Sequence, residues 1–397
     1  MQVSGTVSAG FENVRQVFAD LSEDLNPGGG ALAVSHHGEL VVNLWCGMAR
    51  PDTPWQEDTR AVVMSATKGA AALCCALLVD RGLLDPDKTV AQYWPEFAAN
   101  GKADITVAQL LDHSAGVITF ADYENLLLWD GSGWGETSEI QRRLAAAHPE
   151  WEPGTVHGYH GLTSGWLWDY LIQHLTGLTT GAFFQQEIAG PLKLDCDIGS
   201  SKTVIDQTAH CFEIDMSRLP DEMRDQIQPL MDANGDQSTL TGKAFVARDG
   251  EGALHKLAHL MNNPKVLEVE VPAANGTATA RSLACMYDAL ANGGEYLGIQ
   301  LLGTKTIDLF TRERRNDVDQ VLGLPSSRGF GYMLNRAVSP LGNAMGPNIE
   351  SFGHSGAGGQ QAFADPVAGL GFGFVRNALS LNPFHGLALI DSVYKAL

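Results

Sequence analysis

The chain of 397 residues is short of positive charge. It has 26 Lys and Arg against 46 Asp and Glu, a formal net charge of −20. Such a field repels nucleic acid and anionic membrane surfaces, so neither is expected as a partner. No uninterrupted apolar run reaches membrane-spanning length. The first thirty residues have no basic start followed by an apolar core, so a secretory signal is not expected either. Cysteine is sparse and scattered (Cys46, Cys74, Cys75, Cys196, Cys211 and Cys285), without a CxxC or CxxH pair. That excludes a disulfide framework and leaves reduced, structural thiols in a cytoplasmic protein as the expectation. Internal repeats and low-complexity tails are missing. So is a G-x-S-x-G elbow, which argues against the nucleophile of an α/β-hydrolase.

What is present is a large apolar fraction, 44% of residues, enough for a sizeable core and more than one lobe. Residues 11–25 read as an amphipathic helix. Two strands follow, 30–36 and 39–46, joined by a tight turn at His37-Gly38. Residues 66–81 read as a helix with Gly82 at its C-terminus. Further helices are expected at 105–112, 135–148, from about 164, at 181–190, 218–232 and 279–292. The stretch 234–278 is polar, Gly-rich and resists assignment. Beyond it, "RGFGYMLNRAV", "IESFGHSG", "QQAFADPVAG" and "LGFGFVRNAL" read as strands with Gly-rich turns, and 383–397 as a closing helix. Strands at both ends and helices between them imply an α/β (α+β) fold. One antiparallel sheet is built from residues 1–82 with 279–397, and 83–278 form a mainly helical lobe.

Within "VVMSATKGAAALCCALLVDRG", Ser65 precedes Lys68 by three residues. On a helix these positions share a face. Ser65 would stand where free backbone N–H groups and the positive dipole end lie. A serine hydroxyl needs a base in contact, and a desolvated lysine can be a neutral amine. Taken alone the pair is equally a helix cap and a snorkelling lysine. Two more stretches carry suitable chemistry. Tyr159 lies in "PGTVHGYHG" after a Pro-Gly turn, and a phenol near a cation can shuttle protons. His354 lies in "SFGHSGAGGQQAFADP", where small residues let a strand edge approach a substrate.

The order S-x-x-K, then Tyr after P-G-T, then H-S-G before a terminal strand and helix resembles the serine β-lactamase-like esterases. These are the family VIII carboxylesterases, akin to class C β-lactamases and D-Ala-D-Ala peptidases. "LLDHSAGV", "ANGTATARS" and "LANGGEYLG" fit the same pattern, which runs from about residue 28 to 378. The resemblance implies a β-lactamase/transpeptidase-like fold with the site between its lobes. It makes Ser65 the acylated nucleophile, Lys68 its activator, and Tyr159 a general base and acid. The backbone N–H groups of Ser65 and Ala357 would form the oxyanion hole. His354, Ser355 and Gly356 would line the pocket, and His157 and His160, which flank Tyr159, are further candidates to line it or to tune its electrostatics. The implied activity is hydrolysis of small short-chain esters, without metal or cofactor. The chain departs from the pattern twice. Tyr159-His160-Gly161 replaces Y-x-N, and K-T-G is absent, which disfavours a β-lactamase. β-Lactamase or D-amino-acid peptidase activity, acyl transfer, and a non-catalytic binding scaffold stay open as alternatives. The sequence leaves the oligomeric state open.

His255 and His259 have metal-compatible spacing on a helix, but Lys256 stands between them and no third ligand is evident, so a solvated face is expected. The loop "LLLWDGSGWGE", 126–136, is a candidate wall for an apolar acyl pocket. Trp166 and Trp168 are expected in the core.

Overall fold

The computed structural model describes residues 1–336, 344–382 and 384–397. A ten-stranded antiparallel sheet is assembled from both ends of the chain. Its order is Val3–Val7, Glu39–Arg50, Gly29–His36, Leu370–Arg376, Gln360–Asp365, Phe352–Gly356, Met333–Leu334, Pro325–Arg328 and Arg315–Val318. Thr53–Pro54 pairs beside Glu39–Arg50. The sequence pattern gives no warning of Val3–Val7, which holds only two apolar side chains and buries none fully. The strand expected over 328–338 is reduced to Met333–Leu334. Residues 337 and 338, and residue 383 of the closing helix, lie outside the described residues.

The two central strands, Gly29–His36 and Leu370–Arg376, are buried along almost their whole length. They read as continuous rather than alternating apolar runs because helices cover both faces. Glu12–Leu21 and Phe384–Tyr394 pack together over one face, through Val14, Phe18, Leu389 and Val393. Ala280–Ala291 covers the other face. It can do so because of the glycines in "LGFGF". A Cβ at Gly371 would sit 2.0 Å from the Ala284 carbonyl oxygen, and one at Gly373 2.3 Å from that of Ala280.

The Thr67–Asp80 helix is buried on every side from Thr67 to Leu78, which explains its unbroken apolar sequence. It ends as its glycine predicts. Gly82 adopts φ +69°, and the Leu83 N–H closes back on the Leu78 carbonyl at 2.9 Å. Trp166 and Trp168, on the Thr163–Thr176 helix packed against it, are fully buried. A small sheet of Ala61–Val62, Thr277–Ala278 and Cys196–Asp197 ties the approach to Ser65 to the helical middle of the chain. The unassigned stretch contains three five-residue helices, Leu240–Ala244, Leu257–Met261 and Pro264–Glu268. Each is too short to leave a periodic signal. All six cysteines are free and buried. Among the described residues, no helix is long and apolar enough to cross a membrane.

Candidate active site

Ser65 sits in a single 3-10 turn, Met64–Ala66, that runs straight into the Thr67–Asp80 helix. Met64, the residue before it, holds a left-handed φ of +50°. That conformation is costly for a non-glycine residue and persists only where its surroundings impose it. Here the Thr67 hydroxyl donates to the Met64 carbonyl at 2.6 Å and accepts from the Gly276 N–H at 2.9 Å. The turn is thereby clamped between its own helix and the 271–278 segment.

The i, i+3 spacing brings Lys68 Nζ to 3.4 Å from Ser65 Oγ. Lys68 is fully buried. Its Nζ donates to the carbonyls of Gly161 at 2.7 Å and Ala273 at 2.8 Å. Burial pushes its pKa well below the ordinary lysine value, and the Arg328 guanidinium pushes it further down. A neutral amine has two N–H groups and one lone pair. The Gly161 and Ala273 carbonyls and the Ser65 hydroxyl are its three hydrogen-bond neighbours, and the lowered pKa favours a neutral amine, whose lone pair would face Ser65 Oγ. That is the arrangement a general base requires.

Tyr159 is held from both ends. Its backbone N–H donates to Asp319 Oδ1 at 2.9 Å, and Lys68 Nζ lies 4.6 Å from its ring centroid. Burial raises the phenol's pKa, while the Ser65 hydroxyl and Arg328 beside it pull the other way. The raised value keeps the phenol protonated at rest. Its hydroxyl is buried beside that of Ser65, where it could pass a proton to a substrate oxygen.

His354 lies on Phe352–Gly356, whose end abuts the Ser65 turn: a Cβ at Gly356 would meet the Val63 carbonyl oxygen at 2.3 Å. Only glycine allows this approach, and it carries Ala357 to the wall of the Ser65 cavity. His354 Nδ1 pairs with the Ser355 carbonyl at 2.7 Å, which makes that nitrogen the protonated one. Nε2 is then an unpartnered acceptor. Burial holds the imidazole well below its usual pKa, with Lys68 and Arg328 adding to the effect, so it is neutral. The ring centroid is 5.9 Å from that of Tyr159. Ser355 is half-buried, with its hydroxyl 3.6 Å from Met333 Sδ.

His157 and His160 do not line the cleft, contrary to expectation. Both are fully buried. His157 pairs through Nε2 with the Ser326 hydroxyl at 2.8 Å and lies against the Asp317 carboxylate. His160 accepts from the Val117 N–H at 3.1 Å and pairs through Nδ1 with the Gly158 carbonyl at 2.8 Å. They flank Tyr159 in sequence, but the Pro-Gly loop turns them inward as struts. His255 and His259 do not share a helix face either. His255 precedes the Leu257–Met261 helix and pairs with Asn234, and His259 pairs with the Trp129 carbonyl.

The structure adds three residues that the sequence did not single out. Arg328 lies 4.8 Å over the Tyr159 ring, opposite in charge to Asp319 at 3.3 Å, and both are buried. Asp319 Oδ1 also accepts from the N–H groups of Val321 and Leu322, both at 3.0 Å. His113, with φ +63°, packs 5.3 Å from Tyr159 and accepts from the His160 N–H at 3.2 Å. Asp319 and Arg328 stand among other exposed-looking charges in "RNDVDQ" and "SSRG", and only burial distinguishes them.

Ser65 opens on an apolar cavity of about 30 Å³, walled by Trp134, Leu162, Phe245, Leu257, Leu260 and Met261. Trp134 comes from the 126–136 loop. Most of the other walls come from the stretch that resisted assignment. Phe245 also fills the space beside Gly161. A Cβ there would lie 2.8 Å from the Phe245 ring, so position 161 contributes its carbonyl and has no room for an amide side chain.

Residues 14–390 match the Beta-lactamase family. The chain belongs to the beta-lactamase family. It is 36% identical over 393 residues to the esterase/beta-lactamase LipL of Mycobacterium tuberculosis, which covers 95% of this chain and 83% of that protein. A family VIII carboxylesterase structure superposes with a TM-score of 0.83 at 32% identity over 100% of both chains. A penicillin-binding protein homologue from Caulobacter crescentus gives 0.84 at 33% identity, again over 100% of both. The fold is therefore the β-lactamase/transpeptidase-like one, and the chain is a beta-lactamase-family hydrolase. Membership leaves the scissile bond to be decided by the site.

Proposed function

We propose that the chain is a serine carboxylesterase for short-chain acyl esters. One observation carries this: the buried Lys68 Nζ, held by two carbonyls, lies 3.4 Å from the Ser65 hydroxyl at the mouth of a small apolar cavity. Lys68 takes the Ser65 proton as Oγ attacks the ester carbonyl. The N–H groups of Ser65 and Ala357 hold the resulting oxyanion. When the intermediate collapses, Tyr159 gives its proton to the departing alcohol oxygen and recovers one from Lys68. Water, deprotonated through the same pair, then releases the acid and restores Ser65. No metal or cofactor is needed. The cleft would lie between the lobe of 1–82 with 279–397 and that of 83–278.

Two features support an ester over a β-lactam or a D-amino-acid peptide. Those substrates carry a carboxylate near the scissile bond. The position of the K-T-G lysine holds a neutral His354, and Arg328 is already paired with Asp319. Position 161 has no side chain to contact an amide. The printed name of the Mycobacterium relative keeps β-lactam hydrolysis as the second reading. The test is direct. A fluorophosphonate should label the wild type and leave Ser65→Ala unlabelled, and p-nitrophenyl acetate should turn over at least tenfold faster than nitrocefin. Labelling of the mutant removes Ser65 as nucleophile; a preference for nitrocefin moves the assignment to β-lactamase.

A further inference from the structure

A second and much larger cavity, about 580 Å³, lies between the Asp221–Gly235 helix and the 320–325 turn. Ile227, Leu230, Val321, Leu322, Leu324 and Leu381 are among its walls, and among the described residues no charged side chain lines it. Its size and apolar lining suit a small-molecule site.

Three links tie this groove to the reacting groups. Asp319 Oδ1 holds the Val321 and Tyr159 N–H groups together, at 3.0 and 2.9 Å. The Thr241 hydroxyl, on the groove wall, bonds the Val321 carbonyl, and its helix Leu240–Ala244 leads to Phe245, 6.2 Å from the Tyr159 ring. The Ser380 N–H donates to the Gly358 carbonyl at 3.0 Å, which sets Leu381 close behind Ala357. The groove and the Ser65 cavity thus have adjoining walls, Thr241 with Phe245 on one segment and Leu381 beside the Ala357–Gly358 segment on another, and Phe245 packs against Tyr159.

We infer that this groove is the leaving-group subsite, and that the natural substrates are esters joining a short acyl group to a bulky, uncharged apolar alcohol. The inference rests on the esterase assignment above. The asymmetry of the two cavities, about 30 against 580 Å³, sets which half of the ester is small. The absence of charged groups from the groove lining sets the alcohol's chemistry, because a carboxylate would be desolvated there without a partner. Gln226 and Gln320 remain to bond a neutral hydroxyl or carbonyl.

The experiment compares ethyl, butyl and octyl acetate with 8-acetoxyoctanoate. Alkyl alcohols have similar leaving-group basicity, so the series reads binding. kcat/KM should rise at least tenfold from ethyl to octyl, at up to about fourfold per methylene. The carboxylate-bearing ester should fall at least tenfold below octyl acetate. Leu230→Asp should erase the octyl advantage while ethyl acetate turnover and the rate of fluorophosphonate labelling stay at wild-type values. Leu324→Ser, at a side chain 57% exposed, gives the same readout should the first variant misfold. A flat series with brisk turnover overturns the groove inference and leaves the esterase standing, as does a variant that slows ethyl and octyl acetate alike. Turnover of nitrocefin with none of the acetates overturns both.

Discussion

The two sides of Tyr159 are made of opposite materials. Toward Ser65 lie Phe245, Leu257, Leu260 and Trp134, all apolar and enclosing a cavity. Behind the ring lie Asp319, Arg328, His113, His157 and His160, all buried. In the proposed reaction the apolar side would keep water from Lys68 and give a small acyl group its contacts. The polar side fixes the backbone and ring of Tyr159 through a charge pair and three struts. Buried charge of this kind contributes little net stability, and removing one partner is costly. Selectivity and geometry are thus assigned to different halves of one small volume.

The contrast breaks most sharply at the charge pair. Asp319→Ala strands Arg328 and frees the Tyr159 N–H, and should cost about 3–5 kcal/mol in urea unfolding. Combining it with Arg328→Met should cost less than the single change, because no buried charge is then left alone. Equal losses for the single and double variants would mean that the backbone bonds of Asp319, and not the ion pair, matter. On the apolar side, Leu260→Ala should cost about 2–3 kcal/mol and widen the acyl range. With p-nitrophenyl esters the optimum should move from acetate toward butyrate or hexanoate. An unchanged chain-length profile would remove this cavity from acyl recognition.

The polar side also responds to pH. Burial lowers the pKa of His113, His157, His160 and His354, His160 to about 4. The unfolded chain, with histidines near 6.5, binds more protons in the window below that value. Stability is therefore fully present above about pH 6.5 and lost as pH falls, by at most about 1.4 kcal/mol per pH unit for each histidine. Tm should drop between pH 7 and pH 5. A flat Tm over that range would show that these rings stay protonated or solvated in the folded state.

Much of the candidate site was legible before any fold was known. Ser65, Lys68, Tyr159 and His354 are residue types whose chemistry is intrinsic, set in short stretches marked by glycine, proline and fixed spacing. The fold class was legible for a similar reason. Strands at both termini leave few ways to form one sheet, and the long buried helix announces itself as an apolar run. His157 and His160 show the limit. Adjacency to Tyr159 says nothing about which way a loop turns its side chains. Asp319 and Arg328 show another: a charge in a turn looks solvated until burial is known.

The sequence by itself determined the sheet-and-helix frame and named the candidate reacting groups, because both follow from local chemistry and periodicity. Only the tertiary structure decided the state of Lys68, the role of Gly161 and the sizes of the two cavities. Each of these depends on atoms brought from distant parts of the chain: the Ala273 carbonyl, the Phe245 ring, and the 320–325 turn. A lysine becomes a base only where carbonyls hold its protons and water is kept away, and no stretch of residues near Lys68 encodes that alone.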